Sequence, residues 1–125
     1  MKAAIAILLA ATMSAAVADD RESGFLAANT PVCKSLSDLR EIWGLLQQGR
    51  FPAALEMINS RECFLGKGHH LYLANERMTD AARVVVIADD SDSGGEHRIY
   101  ADYYTLIGGM RCLMNCPDGA RGYHN

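Results

Sequence analysis

The sequence predicts an α+β domain in which an N-terminal helical hairpin precedes a small antiparallel β-sheet, with disulfides that staple the fold. Three observations lead to this prediction. Apolar residues recur at helical spacing in the first half of the chain, β-branched and aromatic residues are concentrated in the second half, and four cysteines follow an apolar leader. Helices that precede strands, instead of alternating with them, are typical of the α+β class. A length of 125 residues suits one such domain.

The first 18 residues are predicted to be a secretory signal peptide. Lys2 supplies a positive charge, residues 3–11 are all apolar, and "AVA" at residues 16–18 places small side chains before the cleavage site. The apolar run is shorter than the roughly 20 residues that cross a membrane as a helix. We therefore expect cleavage after Ala18 and a periplasmic or secreted protein without a membrane span.

The charge of the chain is mildly acidic and is not clustered. There are 12 Lys and Arg residues against 15 Asp and Glu residues, which gives a formal net charge of −3. Nucleic acids and anionic membrane surfaces are bound through basic patches on a protein. We therefore expect neither of them as a partner of this chain.

The first helix is expected after a lead-in segment, residues 19–32, that shows no sustained hydrophobic period. Apolar residues then recur at intervals of three and four, which is one face of a helix: Leu36, Leu39, Ile42, Trp43 and Leu46. Ser35 and Asp38 are spaced as in a capping box at the start of a helix. Gly49 is of the residue type that commonly follows the C-terminus of a helix. Because Trp43 shares the apolar face, we expect it in the core.

A second helix is expected after the short turn "QGRF". Pro52 fits the first turn of a helix, where its missing N–H needs no partner. Ala54, Leu55 and Ile58 continue an apolar face along this segment. The two helices together would form a helical hairpin at the start of a single domain, residues 33–125.

The sequence after Cys63 changes to the pattern of strands. Residues 69–75 and 82–90 are candidate strands, and "VVVI" in the second one favours burial on both faces. Residues 96–108 form the clearest strand because they are rich in aromatic side chains. A loop of turn residues, "DDSDSGGE", separates the last two strands. This order of strand, loop and strand predicts an antiparallel hairpin.

The four cysteines are expected to form two disulfides, because an even count in a small exported chain is typical of a disulfide framework. Four cysteines allow three pairings. We favour Cys33–Cys63, which brackets the helices, together with Cys112–Cys116, which closes a tight loop. A crossed pairing that ties the C-terminal tail to the helical part is the main alternative.

Several features recur in a known layout: Cys33, the "GRF" turn, Cys63, the glycine before "HHLYL", the valine strand and the strand "RIYADYY". This layout resembles small exported bacterial proteins of unassigned function, in which a cysteine-bracketed helical segment precedes a small Src-homology-3-like barrel. The resemblance covers roughly residues 32–107 and leaves out Cys112 and Cys116. It implies a barrel for the strands and very little about chemistry.

Four tyrosines are the candidate binding surface: Tyr72, Tyr100, Tyr103 and Tyr104. Src-homology-3-like barrels often present such an aromatic surface to a ligand, as the resemblance implies. Tyrosines also cover small cores while their hydroxyl groups reach water, so packing is the competing role. Regular alternation along a strand would place Tyr103 on the face opposite to Tyr100 and Tyr104.

A metal site near the second cysteine pair is the sharper alternative. Thiolate and thioether ligands suit Cu(I), and the candidate ligands in this region are Cys112, Cys116, Met110, Met114, His69 and His70. The two histidines are adjacent, so on a strand they would point to opposite faces. We expect a disulfide and solvated histidines here, and no cofactor.

The motifs of common enzymes are not found in the sequence, which has no G-x-S-x-G and no phosphate-binding loop. We therefore expect a non-enzyme: a secreted or periplasmic, disulfide-stabilised binding module whose partner is another envelope or secreted protein. A periplasmic copper- or zinc-handling protein and a small inhibitor or immunity-type protein are the alternatives. The oligomeric state is open.

Overall fold

In the part of the chain that the structure describes, seven strands form one curled antiparallel sheet, a half-barrel, and two helices pack against one end of it. The computed structural model describes residues 20–90 and 96–118. The predicted signal peptide and its cleavage after Ala18 lie outside these residues. The α+β class is confirmed, because the helices are consecutive in the chain and every pairing of neighbouring strands is antiparallel.

The strands occupy more of the chain than the sequence predicts. They are β1 (Ser23–Leu26), β2 (Thr30–Cys33), β3 (Cys63–Gly66), β4 (Leu71–Arg77), β5 (Ala81–Asp90), β6 (Glu96–Leu106) and β7 (Met110–Met114). Their order across the sheet is β3-β2-β6-β5-β4-β1-β7. The three strands expected between residues 69 and 108 are present as β4, β5 and β6.

Strands β1 and β2 lie in the segment where the sequence predicts only a lead-in. Each has four residues, which is too short for a reliable alternation pattern. All four residues of β2 are buried, since the helices cover one face of this strand and the half-barrel interior covers the other. The expectation that the helices begin the fold is therefore wrong, because two strands precede them.

The helices α1 (Leu36–Gln47) and α2 (Phe51–Ser60) occur where the hydrophobic period predicts them. The Ser35 hydroxyl caps α1 by accepting a hydrogen bond from the Asp38 backbone N–H at 3.3 Å. Gly49, with φ of +73°, turns the chain after α1 in the left-handed conformation that glycine tolerates. The helices contact each other and also contact β2, β3 and β6.

Two apolar cores hold the fold together. The interior of the half-barrel contains buried residues from both ends of the sheet: Leu26, Val32, Tyr72, Ala74, Ala82, Val84, Val86 and Met110. The second core lies between the helices and the sheet: Cys33, Leu39, Ile42, Ala54, Ile58, Ala81 and Leu106. Trp43 belongs to neither core and is 39% exposed, so its expected burial is wrong.

A β-bulge in β6 changes which tyrosines share a face. Val84 of β5 is opposite Tyr103, but Val86 is opposite Tyr100, so one residue of β5 faces two residues of β6. Within the bulge, Asp102 has a φ of +59°. The extra residue places Tyr100 and Tyr103 on the same face, whereas regular alternation predicts opposite faces.

Both favoured disulfides are present. Cys33 and Cys63 are directly opposite on β2 and β3, with Cα atoms 4.1 Å apart, and Cys112 bonds to Cys116 across the end of β7. Two disulfides in one small domain are consistent with a protein outside the reducing cytoplasm. Within the described ranges, no helix has the length and apolar character that a membrane crossing requires.

Candidate binding groove

The four predicted binding tyrosines do not form one exposed surface. Tyr72 is only 1% exposed. Tyr100 and Tyr103 pack around Phe64, with ring centroids 4.5 and 6.0 Å from that of Phe64, and all three rings cover the half-barrel core. Tyr104 packs against the other core, beneath the helices. Packing is therefore the role that the structure gives to these side chains.

Tyr72 also takes part in a buried polar network. Its hydroxyl donates to Glu22 at 2.7 Å, and Arg77 donates two hydrogen bonds to the same carboxylate, at 2.7 and 2.9 Å. Burial alone would raise the pKa of Glu22, but the hydrogen bonds from Arg77 and Tyr72 outweigh it and hold that pKa below the usual value. Burial, followed by the Glu22 contact, raises the pKa of Tyr72.

The predicted sulfur ligands for a metal are not available as thiolates. Cys112 and Cys116 are joined in a disulfide, so neither carries a free thiol. Met110 is buried in the half-barrel, while Met114 is 64% exposed at the other end of β7. The structure therefore separates the two methionines that the copper hypothesis combines.

The two predicted histidine ligands, His69 and His70, lie together just before β4. Their rings are in edge contact, with centroids 5.1 Å apart, and the Nδ1 atom of the buried His70 accepts a hydrogen bond from the Lys67 backbone N–H. Among residues 20–90 and 96–118, no group of three or more His, Cys, Asp or Glu side chains is placed to hold a metal ion.

An open groove of about 540 Å³ lies where α1 approaches the loop before β2 and the turn before β7. Among the described residues, five pieces of the chain line it: Trp43 and Leu46 of α1, residues 27–31, residues 79–80, residues 106–109, and Arg111. Its volume falls in the range of small-ligand sites in proteins. Since Leu106 and Pro31 are buried, they lie at the base of the groove.

Helix α1 supplies the apolar wall of the groove. Leu39 and Ile42 face the sheet and are fully buried. Trp43 follows Ile42 and is rotated by about 100° around the helix axis, so it leaves the core and faces the groove. A partly exposed indole ring offers a large flat apolar surface and one N–H donor. This wall is suited to contact with an apolar ligand group.

The opposite side of the groove is fixed by hydrogen bonds between the two loops. The Ala27 N–H donates to the Gly109 carbonyl at 2.8 Å, and the Thr30 hydroxyl donates to the Ala27 carbonyl at 2.7 Å. Asn29 has a φ of +66° and donates its N–H to Gly66 on β3. A side chain at Gly109 would overlap Thr30, so the loops are in close contact. This part of the groove is therefore preformed.

Two charged side chains, Asp80 and Arg111, line the groove among the residues that the structure describes, and Asp80 alone of these two is paired with an opposite charge. Both carboxylate oxygens of Asp80 accept hydrogen bonds from Arg40, at 3.1 and 3.2 Å, and this contact lowers the pKa of Asp80. Arg111 donates instead to the Gly108 carbonyl at 2.7 Å. No carboxylate in the described part of the chain pairs with Arg111. The described side chains thus give the groove a net positive charge.

A second cavity of similar size, about 550 Å³, lies beside the Cys33–Cys63 disulfide. Its walls are polar, and its charged groups neutralise each other, because Arg61 pairs with Asp38 and Lys34 pairs with Glu62. Ligand sites are usually apolar with a few polar groups that fix orientation. The groove at Trp43 fits this description better, so we take it as the candidate site.

The chain matches no protein-family model, no curated protein and no solved structure. The function is therefore inferred from the geometry of the groove. Sequence reasoning missed this site because its walls come from five separated segments. One signal was present, because Trp43 stands at the margin of the apolar stripe of α1 and not at its centre.

Proposed function

We propose that this protein is an exported, disulfide-stabilised binding module that holds its ligand in the groove at Trp43. The observation that carries the proposal is an exposed tryptophan on the wall of a preformed apolar groove that also contains an arginine without a carboxylate partner in the described residues. Aromatic and arginine side chains are the residues that most often anchor binding interfaces.

Binding fits the groove better than catalysis. Among the described residues that line it there is no histidine and no cysteine. The carboxylate that could act as a base is Asp80, but its pKa is lowered by Arg40, and efficient general bases have a pKa near the working pH. The non-enzyme hypothesis is therefore the one we retain.

Export is the second part of the proposal. It is supported by the two disulfides, which persist in oxidising compartments, and by the signal-peptide pattern before Ala18. That this chain is related to exported bacterial proteins with a Src-homology-3-like barrel stays a prediction. The partner we expect is another envelope or secreted protein.

The test uses a library of random short peptides, displayed through either terminus and selected on the immobilised full-length protein. Gly108 lines the groove, and an added Cβ there meets no atom within 4 Å, so we choose Gly108→Phe to place a ring at the groove. Gly68 is equally open but lies away from the groove, so Gly68→Phe is the matched control.

We expect peptides that bind the wild-type protein and the Gly68→Phe variant but bind the Gly108→Phe variant at least about tenfold more weakly. Trp43 is the only tryptophan of the chain, so a change in its emission reports contact in the groove. Selected peptides that bind all three proteins equally and leave this emission unchanged would rule the groove out as the binding site.

A further inference from the structure

The positive charge of the groove is held in a defined position. Arg111 has five N–H donors, and those on Nη1 point to the Gly108 and Met110 carbonyls, at 2.7 and 3.5 Å. The donors on Nε and Nη2 have no acceptor in the described part of the chain. The Nε and Nη2 donors lie on one edge of the planar guanidinium, and this edge matches the two oxygens of a carboxylate.

The surroundings make this charge selective for an anion. Asp80 is the only carboxylate among the described residues that line the groove, and Arg40 neutralises it through two hydrogen bonds. The whole chain has a formal net charge of −3, so the sign of the charge at Arg111 is opposite to that of the chain as a whole. A positive charge in a small region favours an anionic ligand group over a neutral one.

The remaining walls alternate between apolar and polar groups. Trp43, Leu46 and Ile107 are apolar, whereas Asn29, Thr79 and the backbone of the two loops are polar. A hydrocarbon chain would cover these polar groups without giving them hydrogen bonds, which is unfavourable. A peptide supplies both amides and apolar side chains. The volume of about 540 Å³ limits the occupant to a few residues.

Building on the proposed function, we infer that the groove binds the carboxyl-terminal end of a partner polypeptide, with the terminal carboxylate on Arg111. The last apolar side chains of the partner pack against Trp43 and Leu46 of α1. The occupant is thus a free chain end with apolar residues, because the site combines apolar side chains of α1 with an arginine that has no carboxylate partner among the described residues.

The experiment uses an array of N-acetylated pentapeptides that covers every combination of apolar residues at the last three positions. Each peptide is present in two forms, one with a free carboxylate and one with a carboxyl-terminal amide. Binding of the full-length protein is measured on the array and then, for selected pairs, by Trp43 emission in solution. Gly108→Phe and Gly68→Phe serve as the groove-filled variant and its control.

We expect the free-acid form to bind about tenfold to a hundredfold more tightly than the amide form, since a charge-assisted pair is replaced by a neutral contact. Arg111→Gln should abolish this preference, and Arg111→Lys should retain part of it, because lysine keeps the charge but loses the planar geometry. The acid-to-amide ratio of the wild-type protein tests the inference without any substitution.

The outcomes separate the two proposals. Equal binding of acid and amide forms, with loss of both in Gly108→Phe, would overturn the chain-end inference and leave the binding groove intact. No groove-dependent binding of either form would overturn both proposals. Trp43 emission that changes with protein concentration in the absence of peptide would point to a second copy as the occupant, and would also overturn the inference.

Discussion

The buried carboxylate of Glu22 shows how one residue fixes the start of the sheet. It is 7% exposed and lies just before β1, while its partners Tyr72 and Arg77 are on β4. A buried charge is tolerated only when it is paired and hydrogen-bonded. Three hydrogen bonds meet this condition here. The contact therefore joins the N-terminal segment to the middle of the chain.

Replacing Glu22 by glutamine should destabilise the protein by about 2–3 kcal/mol at neutral pH, because Arg77 loses its charged partner in a partly buried site. The folded-state pKa of Glu22 is below its usual value of 4.5. Its contribution is therefore fully present above that value and is lost as the pH falls through the folded-state pKa.

Urea unfolding of wild type and Glu22→Gln between pH 7 and pH 3 measures both effects. The difference in the free energy of unfolding should be largest at neutral pH and should shrink in acid. Asp80→Asn, which removes the exposed pair with Arg40, is the control and should change stability much less. A difference between wild type and Glu22→Gln that grows in acid would contradict this account of the network.

At the scale of the elements, α1 divides its apolar residues between two tasks. Leu39 and Ile42 are fully buried against the sheet, whereas Trp43 lies on the groove. The hydrophobic period predicts the helix and its buried face. It does not predict which residue at the margin of that face stays exposed, because this depends on whether another element covers it. The hydrophobic period of α1 contains no information on whether another element packs over this residue.

A pair of substitutions on α1 tests this division. Leu39→Ala should reduce the free energy of unfolding by about 2–5 kcal/mol, as for other buried leucines. Trp43→Ala should reduce it by less, about 1–2 kcal/mol, because Trp43 is already 39% exposed to water. Chemical unfolding followed by circular dichroism measures both. Equal losses would show that Trp43 is a core residue after all.

The bulge in β6 is a second feature of element scale that the sequence pattern conceals. A single extra residue reverses the face of every residue that follows it. Asp102 carries the positive φ of the bulge and pairs with Arg83 at 2.9 Å. Aspartate reaches this conformation more easily than most residues do. An alternation rule cannot detect such a position, so the predicted tyrosine faces were wrong.

Asp102→Val should destabilise the protein by about 1–2 kcal/mol, because a β-branched residue is strained at positive φ. Ala101→Val, at the neighbouring exposed position with ordinary φ, is the control and should change stability by less than about 0.5 kcal/mol. Thermal unfolding of both variants measures the difference. Two variants of equal stability would contradict a left-handed conformation at Asp102.

For the molecule as a whole, the class of the fold was predictable but its topology was not. The helical period, the β-rich second half and the cysteine count were sufficient for an α+β, disulfide-bonded domain. The sequence could not place β1 between β4 and β7, or β2 between β3 and β6, because strand pairing depends on contacts between distant segments. The groove was missed for the same reason.

The two disulfides should contribute unequally to the stability of the molecule. Cys33–Cys63 closes a loop with a sequence separation of 30, which corresponds to about 3–4 kcal/mol in the chain-entropy treatment. Cys112–Cys116 has a separation of 4 and corresponds to about 2 kcal/mol. Replacing each pair by alanines and measuring urea unfolding tests the ranking. The reverse ranking would contradict it.

Thiol titration and intact mass of the protein purified without a reductant complete this test. We expect no free thiols and a mass four hydrogens below that of the reduced chain, as two disulfides require. Two free thiols at Cys112 and Cys116 would instead reopen the copper hypothesis for β7.

The neighbouring positions of β1 and β7 have a consequence for how the protein is made. A chain leaves the ribosome with its N-terminus first, so β1 emerges long before β7, its partner on one side. Until residue 114 has emerged, one edge of β1 has no strand to pair with. The sheet can therefore be completed only after residue 114 is available, and a chain that is cut before β7 lacks the edge strand that pairs with β1.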